Sequence, residues 1–341
     1  MEDKSGDNVT MNRKAKILWI DDNPERSERA LQLKEDSRMS VEFVCVQQKN
    51  VQEELARIRQ EYKPRLVVID HVLNDTRSEE WAKFGSSLVG FFRETWPGCA
   101  VFGVTAGRNM GSVDIEKYAY DELIDYTDFS EYGQYLPNVV KGFEKCATVR
   151  SVEEWIRLLK GPKGETERIR GSMPRDAKTE FEMQGFPNRV YRWFRKKFYK
   201  MPGFLYDRNW VATLVGVKTG VVERYLEQFA SAKYRGVFNN PHDPRWWKAK
   251  LYEEIYSKCK DENAACMSTQ EAGNRVLSVA ANERSKCYAC NGKWPEVLGY
   301  VDASETASLK QMHLRCTIAH AGYRYEAMFD EVRMMGGRTD G

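Results

Sequence analysis

Residues Ala15 to Asp22 form a short apolar run, Lys16-Ile17-Leu18-Trp19-Ile20 at its heart, that stops at two adjacent carboxylates. An apolar run of this length, flanked by polar helix-forming sequence, reads as a strand buried on both faces of a parallel sheet. Asp21 and Asp22 then stand at its carboxyl end, the edge of an open α/β sheet at which ligands bind. A second run, Leu66-Val67-Val68-Ile69-Asp70, ends the same way, and a third, Ala100 to Thr105, ends in a hydroxyl before Ala106-Gly107. Three carboxylates on one sheet edge repel each other unless a hard cation sits among them, and Mg²⁺ suits oxygen ligands.

Helical segments separate these strands. Asn23-Pro24 starts a helix to about Ser37, with Ala30, Leu31 and Leu33 as its apolar positions. Val41 to Val46 reads as a strand, and Asn50 caps a helix through Tyr62 that Pro64 breaks. The stretch from Gly85 to Thr95 is helical, with Leu88, Val89, Phe91 and Phe92 as its stripe, and a short helix near Val113–Ala119 precedes a fifth strand within Asp121–Phe129. This alternation predicts an α/β fold, a doubly wound parallel sheet of five strands over residues 14–150, after a disordered lead at 1–13. Pro137 opens a further helix whose apolar stripe (Val140, Phe143, Ala147, Val152, Ile156, Leu159) fits one helix to Lys160 or two helices broken near Thr148–Ser151. Residues 161–176, rich in Gly and Pro, read as a linker within a helix-and-linker segment at 151–180.

The acidic pair, the lone Asp and the Thr, in this order on successive strands, resemble the receiver domains of two-component response regulators. The resemblance covers residues 14–150. It implies a flavodoxin-like receiver, Mg²⁺ held by Asp21, Asp22 and Asp70, Asp70 as phosphoacceptor, and Thr105 as the switch hydroxyl. It also implies a sensor histidine kinase or another phosphodonor as partner. Two features depart from the family. Its Lys at the end of the fifth strand has no counterpart: Tyr126 or Thr127 falls there, with Leu123 at the aromatic switch position. The loop after Asp70 is longer than usual and carries Asp75, Arg77, Glu79, Glu80 and Lys83. Arg77 or Lys83 is a candidate for the missing cation, against the plainer reading of a solvated charged loop.

Charge divides the chain. Residues 1–150 hold 21 Lys+Arg against 26 Asp+Glu, about −5, whereas residues 186–250 hold 14 against 4, about +10, within an overall +3. An acidic regulatory half and a basic half with a polyanionic partner follow from that asymmetry. Mean hydropathy is −0.64. No apolar run approaches the roughly 18–20 residues that span a bilayer, and the polar N-terminus lacks a signal-peptide core, so a cytoplasmic protein without membrane partners is expected.

Within the basic half, residues 181–285 read as a helical domain. Asp207 to Phe229 resembles a helix-turn-helix over 208–227, with Ala212 where two helices cross, Gly216 at the turn and Val222 locking the second helix. Lys218, Thr219 and Arg224 would then face DNA. A helical hairpin used for packing fits the same spacing. Trp246-Trp247 reads as core or as a stacking surface for bases.

Cys287-x2-Cys290 with Gly292, then His313-x2-Cys316, is the spacing of a small zinc-stabilised α+β finger at 286–335 and resembles a treble clef. Three thiolates and an imidazole suit tetrahedral Zn²⁺, and four ligands leave no open position, so the ion would be structural. His320 competes with His313 as the nitrogen ligand. This cysteine usage belongs to a reduced compartment rather than a disulfide framework.

The sequence therefore predicts a response-regulator-like signalling protein, not an enzyme, whose receiver controls a DNA-binding output, with a homodimer as one route of control. The alternative is a phosphorylation-independent pseudo-receiver serving as a protein-interaction adaptor. A nucleic-acid-processing enzyme ranks third, because the basic half shows no carboxylate-rich or Ser/His/Asp constellation.

Overall fold

The structure is a computed structural model and describes residues 16–46, 51–73, 85–106, 119–173, 186–259, 267–300, 309–319 and 324–325. The chain divides into two compact units, one of residues 1–158, 173–192 and 240–242, the other of the remainder.

In the first unit, β1 (Ile17–Asp21), β2 (Val41–Cys45), β3 (Leu66–Asp70), β4 (Ala100–Thr105) and β5 (Glu122–Asp125) form a parallel sheet in the order β2-β1-β3-β4-β5. The apolar runs account for this arrangement. Ile17 to Ile20 and Leu66 to Ile69 are at most 1% exposed, as strands covered on both faces must be. The strand order reverses between β1 and β3, and their register pairs Ile20 with Ile69, so Asp21 and Asp70 leave the sheet side by side. That switch point is where a doubly wound sheet opens a crevice.

The connecting helices follow the apolar stripes with three local differences. Helix α1 (Ser27–Ser37) is preceded by a 3-10 turn, Pro24–Arg26, and buries Ala30 and Leu33, whereas Leu31 is 59% exposed. Helix α2 spans Val51–Glu61, and the stretch from Gly85 begins as a 3-10 turn, Gly85–Leu88, before α3 (Val89–Thr95). The expected opening of a helix at Pro137 is corrected: the helix runs Phe129–Cys146 with Pro137 inside it. It stops there, and a second helix runs Val152–Leu159, so the two-helix alternative is the observed one. Ser151 caps that second helix, accepting from Glu154 N at 3.2 Å.

One interaction tying this unit together was not read from the sequence. The Asp121 carboxylate, fully buried, accepts from Val101 N (2.9 Å), Asn188 Nδ2 (2.9 Å), Arg93 Nη2 (3.2 Å) and Arg192 Nε (3.1 Å). Asn188 and Arg192 lie on helix Phe186–Trp193, and Tyr191 of the same helix donates to Glu122 at 2.5 Å. The stretch from Asn188 to Arg192 thus packs against the β4–β5 side of the sheet.

The second unit is mostly helical. The expected linker is instead ordered at its start: Thr166–Ser172 is helical and buries Ile169 completely. The basic, aromatic stretch hides its rings. Phe194 and Phe198 pack with Tyr199, Tyr234, Phe238 and Trp247, and Trp246 and Trp247 are 3% and 1% exposed, so the paired tryptophans are core. A three-stranded antiparallel sheet of Val297–Tyr300, Leu309–Met312 and Arg324–Tyr325 follows helices Lys248–Lys258 and Thr269–Val276. Cys287, Val297, Leu298, Met312 and Cys316 share one core with Trp210, Val211, Val215 and Leu251, so the cysteine segment is continuous with the helical region in packing. Among the described residues, no helix is long and apolar enough to cross a membrane.

Candidate functional site

The first site lies at the carboxyl ends of β1, β3 and β4. Asp21, Asp22 and Asp70 offer oxygens that all lie within 4.8 Å of one another. Asp21 is fully buried and Asp70 is 4% exposed. Asp21 is held by Asn23 N (2.9 Å to Oδ1), Trp19 Nε1 (3.3 Å to Oδ2) and the phenol of Tyr126 (2.8 Å to Oδ2). On the neighbouring strand end, Thr105 is 1% exposed, and its buried hydroxyl has no hydrogen-bond partner. A buried hydroxyl without a partner is costly and marks a position suited to an additional ligand. The donor set of three carboxylates fits a hard divalent cation.

A protein cation also occupies this pocket. Arg26 Nη1 donates to Asp21 Oδ1 (3.2 Å) and Oδ2 (3.1 Å), to Asp70 Oδ2 and to the Tyr126 hydroxyl. Its guanidinium carbon sits 4.3 Å from the centroid of the Tyr126 ring. Tyr126, one of the two residues expected where the resemblance places a Lys, turns its phenol into the site. The expectation that Arg77 or Lys83 supplies the cation falls on residues outside the described ones, and the cation observed comes from the turn after β1. Arg26 stands five residues beyond Asp21, on the turn that Pro24 opens, and that proximity was the available signal. Burial, then the charge of Asp21, pushes the Asp70 carboxyl up to about 7, against the opposing pull of Arg26 and the Val72 N–H. Burial works against the Arg26 charge, but Asp70, Tyr126 and Asp21 outweigh it and raise its pKa. Burial, with Asp70 and Asp21, likewise raises the Tyr126 phenol.

The second site gathers Cys287, Cys290, His313 and Cys316, with donor atoms again within 4.8 Å of one another. Cys287 N donates to Gly292 O (2.8 Å), closing the turn between the first two thiols. A Cβ at residue 292 would come within 2.9 Å of the His313 ring and 3.2 Å of Cys290 Sγ, so only glycine admits this approach. His313 precedes the short helix Leu314–Ala319, which carries Cys316. The His313 Nε2 atom lies 2.8 Å from Lys293 O, which can only accept. Nε2 therefore carries a proton, and Nδ1 faces Cys290 Sγ at 3.2 Å and Cys316 Sγ at 4.0 Å. His313 is thus the histidine in the cluster, and His320 lies outside the described residues. The Gly292 N–H is the main influence holding the Cys290 thiol down at about 6. Burial first, then hydrogen bonding to Cys290 and Cys287, pushes Cys316 up to about 11.

No family model matches the chain, and no curated protein does. Solved structures do. A response regulator receiver domain protein from Methanospirillum hungatei is 22% identical, with a TM-score of 0.29, over 38% of this chain and 95% of that one. The signal receiver domain of a signal transduction histidine kinase from Syntrophus aciditrophicus is 17% identical (TM-score 0.30; 40% and 95%). A response regulator from Burkholderia pseudomallei, with a phosphorylated aspartic acid, a calcium ion and citrate, is 18% identical (TM-score 0.27; 46% and 91%). The fold rests on the strand order above rather than on these likenesses.

The third set of expected residues lies after helix Arg208–Leu214. The turn has the geometry its spacing calls for: Ala212 is fully buried, Val222 is 2% exposed, and Gly216 adopts φ 69°. The second helix is corrected. In place of an α-helix through residue 227 there are two 3-10 segments, Thr219–Arg224 and Leu226–Phe229. Thr219, Gly220, Val221 and Val222 are poor helix formers, and Lys218 N is drawn to Glu283 O (2.9 Å). Lys218 and Arg224 are exposed and Thr219 is half-buried, but Arg224 is ion-paired with Glu283.

Proposed function

We propose that the N-terminal unit is an atypical receiver that accepts a phosphoryl group on Asp70 and that the chain is a non-enzymatic signalling protein. The supporting observation is the closeness of Asp70 and Asp21 just beyond the paired ends of β1 and β3, beside the unpartnered hydroxyl of Thr105. In the proposed step an Asp70 carboxylate oxygen attacks the phosphorus of a phosphohistidine or small acyl phosphate. The P–O bond to Asp70 forms as the P–N or P–O bond to the donor breaks, and the electron pair leaves with the donor. Asp21, Asp22 and Asp70 would hold Mg²⁺, which neutralises charge on the transferred phosphoryl oxygens. Thr105 would then donate its hydroxyl to one of those oxygens.

The test is incubation of the full chain with acetyl phosphate and Mg²⁺, followed by intact mass and hydroxylamine treatment. One hydroxylamine-labile phosphoryl group, absent from Asp70→Asn, is expected. No labelling in either protein would overturn phosphoacceptance.

The output reading is DNA binding by the second unit, with Lys218, Thr219 and Arg224 on phosphates. Its support is the local charge of this unit's share of the basic stretch, 12 Lys+Arg against 4 Asp+Glu, about +8, over residues 193–239 and 243–250. The short 3-10 segments supply no long recognition α-helix, so this reading concerns backbone contact rather than base reading. A second reading, a pseudo-receiver that acts as a protein-interaction adaptor whatever its phosphorylation state, is favoured by Tyr126 and Arg26 filling the acidic pocket. Binding to mixed duplex DNA across a salt series, with and without beryllofluoride, separates them: a change with the mimic supports the first, and no binding supports the second. For the Cys287, Cys290, His313 and Cys316 cluster we infer structural Zn²⁺, with His313 ligating through Nδ1.

A further inference from the structure

The turn after β1 is built to aim one side chain. The Asn23 carboxamide accepts from Glu25 N at 3.0 Å, Pro24 begins the 3-10 turn, and Ser27 N–H closes on Pro24 O. Arg26 is thereby carried back over the end of β1, where a single nitrogen, Nη1, serves both Asp21 oxygens, Asp70 Oδ2 and the Tyr126 hydroxyl. The Tyr126 ring lies under the guanidinium, and Arg29 approaches the same ring, 5.3 Å from guanidinium carbon to centroid. The Arg26 side chain remains 28% exposed, which leaves it a path to solvent.

We propose that Arg26, clamped on Tyr126, is the resident cation of the acidic pocket, and that a divalent metal reaches Asp21 and Asp70 only by displacing it. This rests on reading the three carboxylates as a metal site, though not on phosphotransfer. The charge argument is direct. Buried carboxylates this close together destabilise one another unless a positive charge lies between them. A guanidinium is charged at every accessible pH, and its planar face stacks on an aromatic ring. Mg²⁺ seated on Asp21 and Asp70 would lie within a few ångströms of the Nη1 atom that these carboxylates already hold, and two cations that close repel each other, so the guanidinium must move away for the metal to settle. Tyr126 brings no charge to the end of β5. It gives Arg26 a ring to rest on and gives Asp21 a hydrogen bond, and both favour the arginine-filled state. Metal occupancy and Arg26 position are then mutually exclusive states of one pocket, linked by their relative affinities.

The experiment is calorimetric Mg²⁺ titration of the full chain as wild type, Arg26→Gln and Tyr126→Phe, with thermal midpoints recorded with and without Mg²⁺. Arg26→Gln is expected to bind Mg²⁺ at least roughly tenfold tighter, since a charge-assisted hydrogen bond no longer has to be broken. Its midpoint falls without metal and rises on metal addition by more than that of wild type. Tyr126→Phe keeps the ring and loses the hydroxyl, and is expected to bind about threefold tighter. Should Arg26→Gln fail to fold, Tyr126→Phe decides alone. Equal or weaker binding in the variants, with measurable binding in wild type, overturns the inference and leaves the metal site standing. Absence of Mg²⁺ binding in every protein overturns both.

Discussion

The acidic pocket and the sulfur cluster are built from the same kind of material, side chains that ligate metals, yet they balance their charge in opposite ways. Around Asp21 and Asp70 the fold supplies its own cation, and Arg26 bridges both carboxylates. Around Cys287, Cys290 and Cys316 the near groups are other thiols and an imidazole whose Nε2 faces Lys293 O. One site is partly neutralised from within and can stand without metal. The other has three cysteines, one of them held down at about 6, converging on an imidazole nitrogen, an arrangement that a metal would complete. The contrast suggests that a metal ion at the first site would be exchangeable, hence regulatory, and at the second structural.

The largest effect that would break this contrast is at the second site. Stripping metal with a strong chelator, or replacing the buried Cys287 by Ser, is expected to abolish cooperative unfolding of the second unit, whose core includes Cys287 and Cys316. Structural zinc in isolated fingers contributes about 10–16 kcal/mol at neutral pH, comparable to a typical domain's whole net stability. Scanning calorimetry with metal analysis checks this: one zinc per chain, and loss of one of two transitions. A chain that melts identically with and without chelator would make the cluster a set of buried thiols.

The two sites also differed in how legible they were. Cys287-x2-Cys290 and His313-x2-Cys316 carry their geometry in local spacing, and the structure closes these pairs on each other. The acidic trio was legible because hydrophobic runs end at Asp21 and Asp70, and a parallel sheet aligns such ends. Arg26 and Asp121 were not legible. Their roles depend on partners 44 and 71 residues away, Asp70 and Arg192, and no periodicity records such pairings. Helix type was also beyond the pattern: Thr219 to Phe229 has buried residues at plausible helical spacing, yet its β-branched residues and Gly220 leave it in 3-10 turns.

Asp121 sharpens the idea that this unit neutralises carboxylates with arginine. Asp121→Ala removes the acceptor shared by Arg93, Arg192, Asn188 and the Val101 amide. A loss of about 3 kcal/mol is expected, the low end for breaking a buried pair, because both arginines are roughly one-third exposed. Urea unfolding of the first transition measures it. If the loss is under about 0.5 kcal/mol, the network does not anchor helix Phe186–Trp193.

The acidic pocket should show its balance of charge as a pH dependence. Asp70 is raised to about 7, by burial first and Asp21 second, so the folded state takes up a proton that the unfolded chain releases near pH 4. Its contribution is fully present below pH 4 and is lost as pH rises through 7, an effect of at most roughly 4 kcal/mol. Without metal, stability should therefore fall between pH 5 and 8 more steeply in wild type than in Asp70→Asn, and Mg²⁺ should flatten the wild-type slope. Parallel pH profiles for the two proteins would show that Arg26 alone satisfies the pocket.

The smallest expected effect tests whether the exposed charges of the second unit act on a polyanion at all. Lys218 is exposed at the turn after Gly216, and Arg224 shares its charge with Glu283. If both face phosphates, Lys218→Ala should lower the slope of log affinity against log salt by about 1, with stability unchanged to within about 0.5 kcal/mol. Arg224→Ala should lower the slope by less, because its ion pair already offsets part of the field that phosphate would feel. Removing Glu283 as well should then restore nothing, whereas Glu283→Gln alone should steepen the slope by freeing Arg224. The inequality between Lys218 and Arg224 is the informative quantity: equal slopes would mean the Glu283 pair opens on binding. No slope change in either variant would place the polyanion elsewhere on the basic stretch, and Lys218 and Arg224 would be surface charges without a role in the output.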